Sequence, residues 1–309
     1  MPKAGTNPSK NYFSRWFSGS IYLRFEAINF TIMKPSFTYH RFPLSRIATF
    51  DVLSAGKKKH HIGALLEFDV SEGRKKLKEA KRAGKTVSFN AWILKSIGNA
   101  LAKHGKTASF IAGRRRIISF DDINISMLVE KVIDGEKVPI PLLIKQVNEK
   151  SIPEITREIE NARNQIISVN NMLLHRRQTI AETFYYCLPG FMRRFIWQYI
   201  LSHPKTAFSK MGNVSVTSLG MMVKINGWFI PISVHPLTFG IGSVIQKAIV
   251  VNNEVVIRDI LNVTVLLDHD VIDGGPMVRF INDLAKSVEN AEALSSTGAD
   301  ATSETDSSV

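Results

Sequence analysis

The chain has 309 residues, 44% of them apolar, and carries 40 Lys and Arg against 27 Asp and Glu for a formal charge of +13. This describes an ordinary soluble protein able to bury a sizeable core. The lone cysteine, Cys187, excludes an internal disulfide and any multi-cysteine metal site.

Residues 1–40 are polar and aromatic without clear periodicity and read as a poorly structured extension. Residues 1–24 are basic and acid-free, which resembles a mitochondrial presequence, and Met33 offers a second start. A cytoplasmic location is the first expectation, a mitochondrial one the alternative. A single Cys fits a reducing compartment.

From residue 41 strand and helix signals alternate without a linker or a repeat, so 41–292 reads as one α/β domain. A strand near 62–70 leads into a basic helix near 71–83, and a second helix begins at Asn90 and stops at Gly105. Strands near 123–133 and 137–144 join through Asp134-Gly135, a hairpin signal. A helix is expected over roughly 152–170. Strands near 213–218, 238–250 and 254–268 follow, with Asn252-Asn253 as a turn.

The segment 172–203 is an unusual helical insertion whose apolar runs are broken by Pro189-Gly190 and Arg193-Arg194. No stretch of it reaches the roughly 20 apolar residues of a spanning helix. It could form a lid, a subunit contact or a membrane-surface helix, but packing onto its own domain is the simplest expectation. Phe184, Tyr185, Phe191 and Trp197 then read as core or interface residues, and Cys187 as a buried structural thiol. Residues 293–309 are small and polar with no apolar anchor, and read as a disordered tail.

Positive charge concentrates at Lys57-Lys58-Lys59, at Arg74 through Lys85 and at Arg114-Arg115-Arg116. Most of the second cluster reads as a solvated helix face. No zinc-finger, helix-turn-helix or RNA-binding aromatic signature accompanies the charge, so nucleic acid is an unlikely partner. No two of His60, His61, His104 and His235 have metal-ligand spacing with a third partner, so no metal is expected.

The sharpest signal is Asp268-His269-Asp270-Val271-Ile272-Asp273-Gly274. The run Asn262-Val263-Thr264-Val265-Leu266-Leu267 before it is a strand with both faces covered, and Pro276 with Met277, Ile281, Leu284 and Val288 marks a helix after it. A histidine at the end of a buried strand can take a proton from an attacking thiol or hydroxyl and return it to the leaving group. Asp273 could orient the imidazole directly or pair with an arginine that holds the turn. Gly274 suits a tight bend where a side chain would clash. Asp268 and Asp270 would raise the pKa of His269 if they lie close to it.

The stretch "DHDVIDGGPMVRFINDL" resembles the catalytic segment of the dihydrolipoyl acyltransferases of 2-oxo acid dehydrogenase complexes and of chloramphenicol acetyltransferase. Residues 60–101, 118–159 and 212–222 resemble the same catalytic domain in the same order. The resemblance implies a chloramphenicol acetyltransferase-like two-layer sandwich of a mixed sheet with helices packed on it. It implies His269 as general base, Asp273 as the aspartate of the motif, and Arg46 as the arginine through which that aspartate supports the loop. In "VSVTSLG" it implies Thr217, or alternatively Ser218, as the hydroxyl that stabilises the oxyanion.

Where such acyltransferases have arginine after the histidine this chain has Asp270. Condensation-type relatives have a second histidine where it has Asp268. The expected activity is acyl transfer between coenzyme A and a thiol or hydroxyl acceptor, a lipoyl group among them. Acyl-coenzyme A would be the substrate, with no metal and no lipoyl-lysine motif in the chain. Cations of the basic clusters are candidates for the coenzyme A phosphates. The resemblance further implies a homotrimer with its active site between subunits. A non-catalytic trimeric scaffold of the same fold is the alternative.

Overall fold

A computed structural model describes residues 37–39, 45–113, 115–133, 136–164, 184–218 and 225–296. The fold lies within the unit Pro43–Val309. In chain order it contains α1 (Ser45–Gly56), β1 (His61–Asp69), α2 (Ser71–Arg82), α3 (Phe89–Lys103), β2 (Phe110–Ala112) and β3 (Arg116–Ile118). Then come β4 (Ile125–Ile133), β5 (Glu136–Ile144), α4 (Ile152–Asn164), α5 (Gly190–Ser202) and α6 (Pro204–Met211). The last part holds β6 (Val214–Ser218), β7 (Leu237–Val251), β8 (Glu254–Asp268), α7 (Gly274–Glu289) and α8 (Glu292–Ser296).

One mixed sheet runs in the order β1-β8-β7-β6-β4-β5, and β2 with β3 forms a separate ribbon. The pairs β1–β8, β8–β7 and β4–β5 are antiparallel, whereas β7–β6 and β6–β4 are parallel. This is the α/β architecture with a mixed sheet that the sequence predicts. Ile133 stands opposite Glu136, as a two-residue hairpin through Asp134-Gly135 requires; that turn itself lies outside the described residues. Asn252 and Asn253 both have positive φ (51° and 65°), the conformation a tight turn between twisted strands demands.

Residues 260 to 268 of β8 and 237 to 243 of β7 are buried, consistent with strands covered on both faces. On one side Trp92, Ile97 and Leu101 of α3 and Phe280 and Leu284 of α7 join Phe239, Leu261 and Val265 in the core. On β7, a Cβ at Gly240 would stand 2.6 Å from the Phe229 carbonyl oxygen, so glycine lets residues 227–231 cross close to the strand. Trp228 Nε1 fastens that crossing by donating to the Leu66 carbonyl at 2.9 Å.

Several details differ from the sequence expectation. The cap of α3 is Ser88, not Asn90: Ser88 is extended and its hydroxyl accepts from Ala91 N at 3.2 Å. His104 does close that helix, and its Nε2 reaches Asp283 Oδ2 on α7 at 2.8 Å. That hydrogen bond holds the Asp283 carboxyl below its usual range. Residues 293–296, expected in a disordered tail, belong to α8, where Ala293 is buried and Ser295 Oγ accepts from Lys76 Nζ at 2.9 Å. Cys187 is exposed rather than buried. It sits in a short helical turn just before Pro189, on the side away from the Tyr185 contact described below. The 165–170 part of the predicted helix lies outside the described residues.

The described part of the insertion does pack on its own domain, through α1. Asp51, buried on α1, accepts from Tyr185 Oη at 2.7 Å and from Arg193 Nε at 2.8 Å. Trp197 Nε1 donates to Tyr185 Oη at 3.0 Å. Burial and the Asp51 carboxylate push the Tyr185 hydroxyl up to about 12. Tyr185 and Trp197 are thus half-buried contacts, but Phe184 and Phe191 are exposed.

Candidate active site

β8 delivers His269 as the first residue past its end, and the turn that holds it is built on Asp268. The Asp268 side chain is fully buried and takes a hydrogen bond from Lys59 Nζ at 2.5 Å. Its amide donates to the Pro236 carbonyl at 2.9 Å, and its own carbonyl accepts from Val271 N at 3.0 Å and Ile272 N at 3.2 Å. Asp268 Oδ1 takes the Asp270 amide at 3.3 Å. His269 N then donates to the His60 carbonyl at 2.9 Å, extending the β1–β8 ladder by one residue. Strand and turn together fix the backbone of His269, while its imidazole faces solvent.

The two flanking carboxylates are committed elsewhere. Asp268 neutralises Lys59, and Asp270 accepts from His60 Nδ1 at 2.9 and 3.0 Å. Among the described residues neither forms a hydrogen bond with His269. Lys59 is half-buried and leaves the solvated lysine run in which the sequence places it.

Behind the turn lies His235, beside Pro236, in the loop that the sequence places near the site. It is buried, its Nε2 donates to the Met211 carbonyl at 3.1 Å, and its Nδ1 faces Ser233 Oγ at 3.1 Å. The His235 carbonyl in turn accepts from His61 Nε2 at 2.9 Å. Burial, with smaller help from the Lys59 charge, pulls His235 down to about 4 despite the Met211 hydrogen bond. It is therefore neutral at pH 7. The sequence does not show that this histidine is buried and hydrogen-bonded to Met211.

Asp273 occupies the N-cap position of α7, extended at φ −87° and ψ 165°, with no side-chain capping bond. Its carbonyl accepts from Met277 N at 3.2 Å. Arg46 is exposed on α1, and among the described residues no ion pair joins it to Asp273. Gly274 differs from expectation: a Cβ there would meet nothing within 4 Å, so no clash demands glycine. The space beside it is open.

Thr217 and Ser218, both half-buried, end β6, where Thr217 stands beside Gly240 and Gly240 beside Thr264. Thr264 precedes His269 by five residues, or about 17 Å of strand. Two strand spacings separate it sideways from Thr217. One chain therefore does not bring the candidate base and the candidate oxyanion hydroxyl together.

Two basic clefts lie on the helical side. One, of about 1090 Å³, is lined by Arg74, Lys75, Lys78, Lys81 and Arg82 of α2 with Phe89. The other, of about 540 Å³, is lined by Lys81, Lys85 and Arg163 among others. Arg74 is tied to Asp259 at 2.7 Å. No group of three His, Cys, Asp or Glu among the described residues is placed to hold a metal ion.

The family described as "2-oxoacid dehydrogenases acyltransferase (catalytic domain)" matches residues 45–172 and 206–295. The dihydrolipoyllysine-residue acetyltransferase component of the pyruvate dehydrogenase complex of Mycoplasma genitalium is 27% identical over 206 residues, covering 66% of this chain and 44% of that one. The component of the same name from Staphylococcus epidermidis is 25% identical over 241 residues, covering 76% and 47%. The chain thus spans about half the length of the curated relatives it matches.

Among solved structures, a probable dihydrolipoamide acetyltransferase from Listeria monocytogenes superposes with a TM-score of 0.60 at 20% identity, covering 82% of this chain and 95% of that one. A truncated catalytic core of the 2-oxoacid dehydrogenase multienzyme complex from Thermoplasma acidophilum gives 0.57 at 19%, covering 83% and 99%. These structures share the fold, and the family match takes in every strand of the sheet together with the His269 turn. The chain belongs to the 2-oxoacid dehydrogenase acyltransferase catalytic-domain family.

Proposed function

We propose that this chain is an acyltransferase that moves an acyl group between coenzyme A and a thiol or hydroxyl acceptor, with a dihydrolipoyl thiol as the first acceptor to test. The observation that carries it is His269: a backbone locked by strand and turn presents an imidazole to solvent, in a chain of this family. Neutral His269 takes the proton as the acceptor sulfur attacks the thioester carbonyl carbon. The oxyanion that forms accepts a hydrogen bond from the Thr217 hydroxyl, with Ser218 as the alternative donor. Collapse breaks the bond to the coenzyme A sulfur, and the imidazolium returns its proton to that thiolate. Asp273 supports the turn, with Arg46 as its candidate partner. No covalent enzyme intermediate is needed.

Coenzyme A brings phosphates, and Lys81, Lys85 and Arg163 converge on one cleft that suits them. The separation of Thr217 from His269 supports a site completed between two copies, and a homotrimer closes such contacts into a ring. Exposed Val250, Val255 and Ile257 on the β7–β8 hairpin suit a subunit contact.

The test is acetyl-coenzyme A turnover by the wild type, His269→Ala and Thr217→Ala, with thiol release followed across dihydrolipoamide, amines and alcohols. Loss of the base should lower kcat by about 10²–10⁴-fold and loss of the hydroxyl by about 10²–10³-fold. Equal rates in wild type and folded His269→Ala would remove His269 from the mechanism.

A further inference from the structure

The family match stops at residue 172 and resumes at residue 206, so α5 lies wholly outside the matched residues. Its sequence, Gly190-Phe191-Met192-Arg193-Arg194-Phe195-Ile196-Trp197-Gln198-Tyr199-Ile200-Leu201-Ser202, contains no acidic residue. Arg193, Ile196, Trp197, Ile200 and Leu201 recur at helical spacing and are half-buried on the inner side, where Asp51 of α1 holds Arg193. The opposite side is also apolar. Phe191, Met192, Phe195 and Tyr199 are 65, 41, 69 and 53% exposed, and no residue of the helix is buried. Arg194 and Gln198 interrupt this outer face, but a helix with large apolar side chains on both sides is normally covered on both. Here α1, α6 and the Tyr185–Leu188 segment pack against its inner side.

The character of the surroundings points to what covers the outer side. Lys58 and Arg194 line one groove of about 530 Å³ with Phe191, Met192, Phe195 and Ile196. Lys57 is exposed beside Lys58, and Lys205 and Lys210 are exposed on α6. Among the described residues neither Lys58 nor Arg194 pairs with a carboxylate. Asp51, the acidic side chain of this region, is spent on Arg193 and Tyr185. Aromatic and thioether side chains in a ridge, flanked by unpaired cations, complement a surface that is apolar below and anionic at its rim. An anionic lipid bilayer has that profile. At 13 residues the helix is too short to cross one, and no helix among the described residues is long and apolar enough to do so.

We propose that α5 is a membrane-docking helix: its outer face lies in the headgroup layer of an anionic bilayer, with Phe191, Met192 and Phe195 against the acyl chains and Lys58 and Arg194 on lipid phosphates. The inference does not depend on the acyltransferase activity, and its test reads binding rather than turnover.

The full chain is sedimented with vesicles of phosphatidylcholine alone and of phosphatidylcholine with one-third phosphatidylserine, at low and high salt. Two double variants are compared with it, Phe191→Ser/Phe195→Ser and Lys58→Glu/Arg194→Glu. All four positions are exposed or line a surface groove, so circular dichroism should show wild-type helix content. The wild type should bind the anionic vesicles, lose that binding in high salt, and show a drop on the order of tenfold or more in partitioning for each double variant. The molar mass of each protein in solution is measured in parallel. Equal partitioning to both vesicle types, or partitioning untouched by both variants, would overturn the proposal. A serine variant that changes the oligomer mass without changing vesicle binding would also overturn it, and would assign the face to a contact between copies.

Discussion

Two buried side chains behind the His269 turn, Asp268 and His235, each make a measurable difference. Asp268 is buried with Lys59 as its counter-ion. Lys59→Met should therefore leave an uncompensated carboxylate under the turn. For a buried pair that costs about 3 kcal/mol, the lower end of the usual range being apt because Lys59 retains some solvent contact. Urea denaturation measures it, and an Asp268→Asn/Lys59→Met double variant should recover part of the loss. His235, held down to about 4 from 6.5, acts in the opposite sense to a paired histidine. Above pH 6.5 neither folded nor unfolded chain protonates it. As pH falls from 6.5 towards 4 the unfolded chain gains a proton that the folded chain refuses, so stability declines by about 3 kcal/mol over that window. His235→Gln should lack this component when stabilities of the two proteins are compared across the same pH range.

The sequence marks both residues, but neither the Lys59–Asp268 pair nor the burial of His235 is legible in it. Lys59 and Asp268 lie 209 positions apart, and a lysine in a run of three looks like solvated charge until the fold places it. His269, by contrast, stood out because a β-rich apolar run led straight into it.

At the level of elements, the sheet and most helices could be read from alternating apolar patterns, since burial on one face or two leaves a period in the sequence. Boundaries and caps were less visible. Ser88 and Asn90 are both good capping residues, and only the backbone geometry selects Ser88. Gly274 was read as a steric requirement, yet its surroundings are empty. Gly73, unremarked in the sequence, is the opposite case. A Cβ there would lie 2.0 Å from the ring of Trp92, which is fully buried on α3. The indole occupies the place of the missing side chain, so α2 can sit directly on it. Gly73→Ala should destabilise the fold by about 3 kcal/mol through overpacking, despite alanine's better helix propensity. A thermal melt of the single variant decides this, and an unchanged Tm would mean that α2 moves aside at little cost.

For the whole molecule, the arrangement of β6, β7 and β8 has a direct consequence for how chains cooperate. If each site takes its base from one copy and its oxyanion hydroxyl from another, then His269→Ala and Thr217→Ala, each nearly inactive alone, should complement one another. Unfolding and reassembling the two together should restore a fraction of wild-type turnover, because some contacts pair an intact His269 with an intact Thr217. No recovery from verified mixed oligomers would remove Thr217 as the group that completes the His269 site. Such a division of labour could not be read from motif order, since two motifs in register say nothing about whether their strand ends meet.

Asp51 sets a timetable as well as a contact. It is translated 134 residues before Tyr185 and 142 before Arg193, the two donors that satisfy it. At about 5–20 residues per second, a ribosome needs roughly ten seconds to supply them. Through that interval α1 has emerged but has no partner for its carboxylate. Helix α1 therefore locks late, after β1 and the helices α2 to α4 have been made, and a stall within residues 165–190 would leave it waiting.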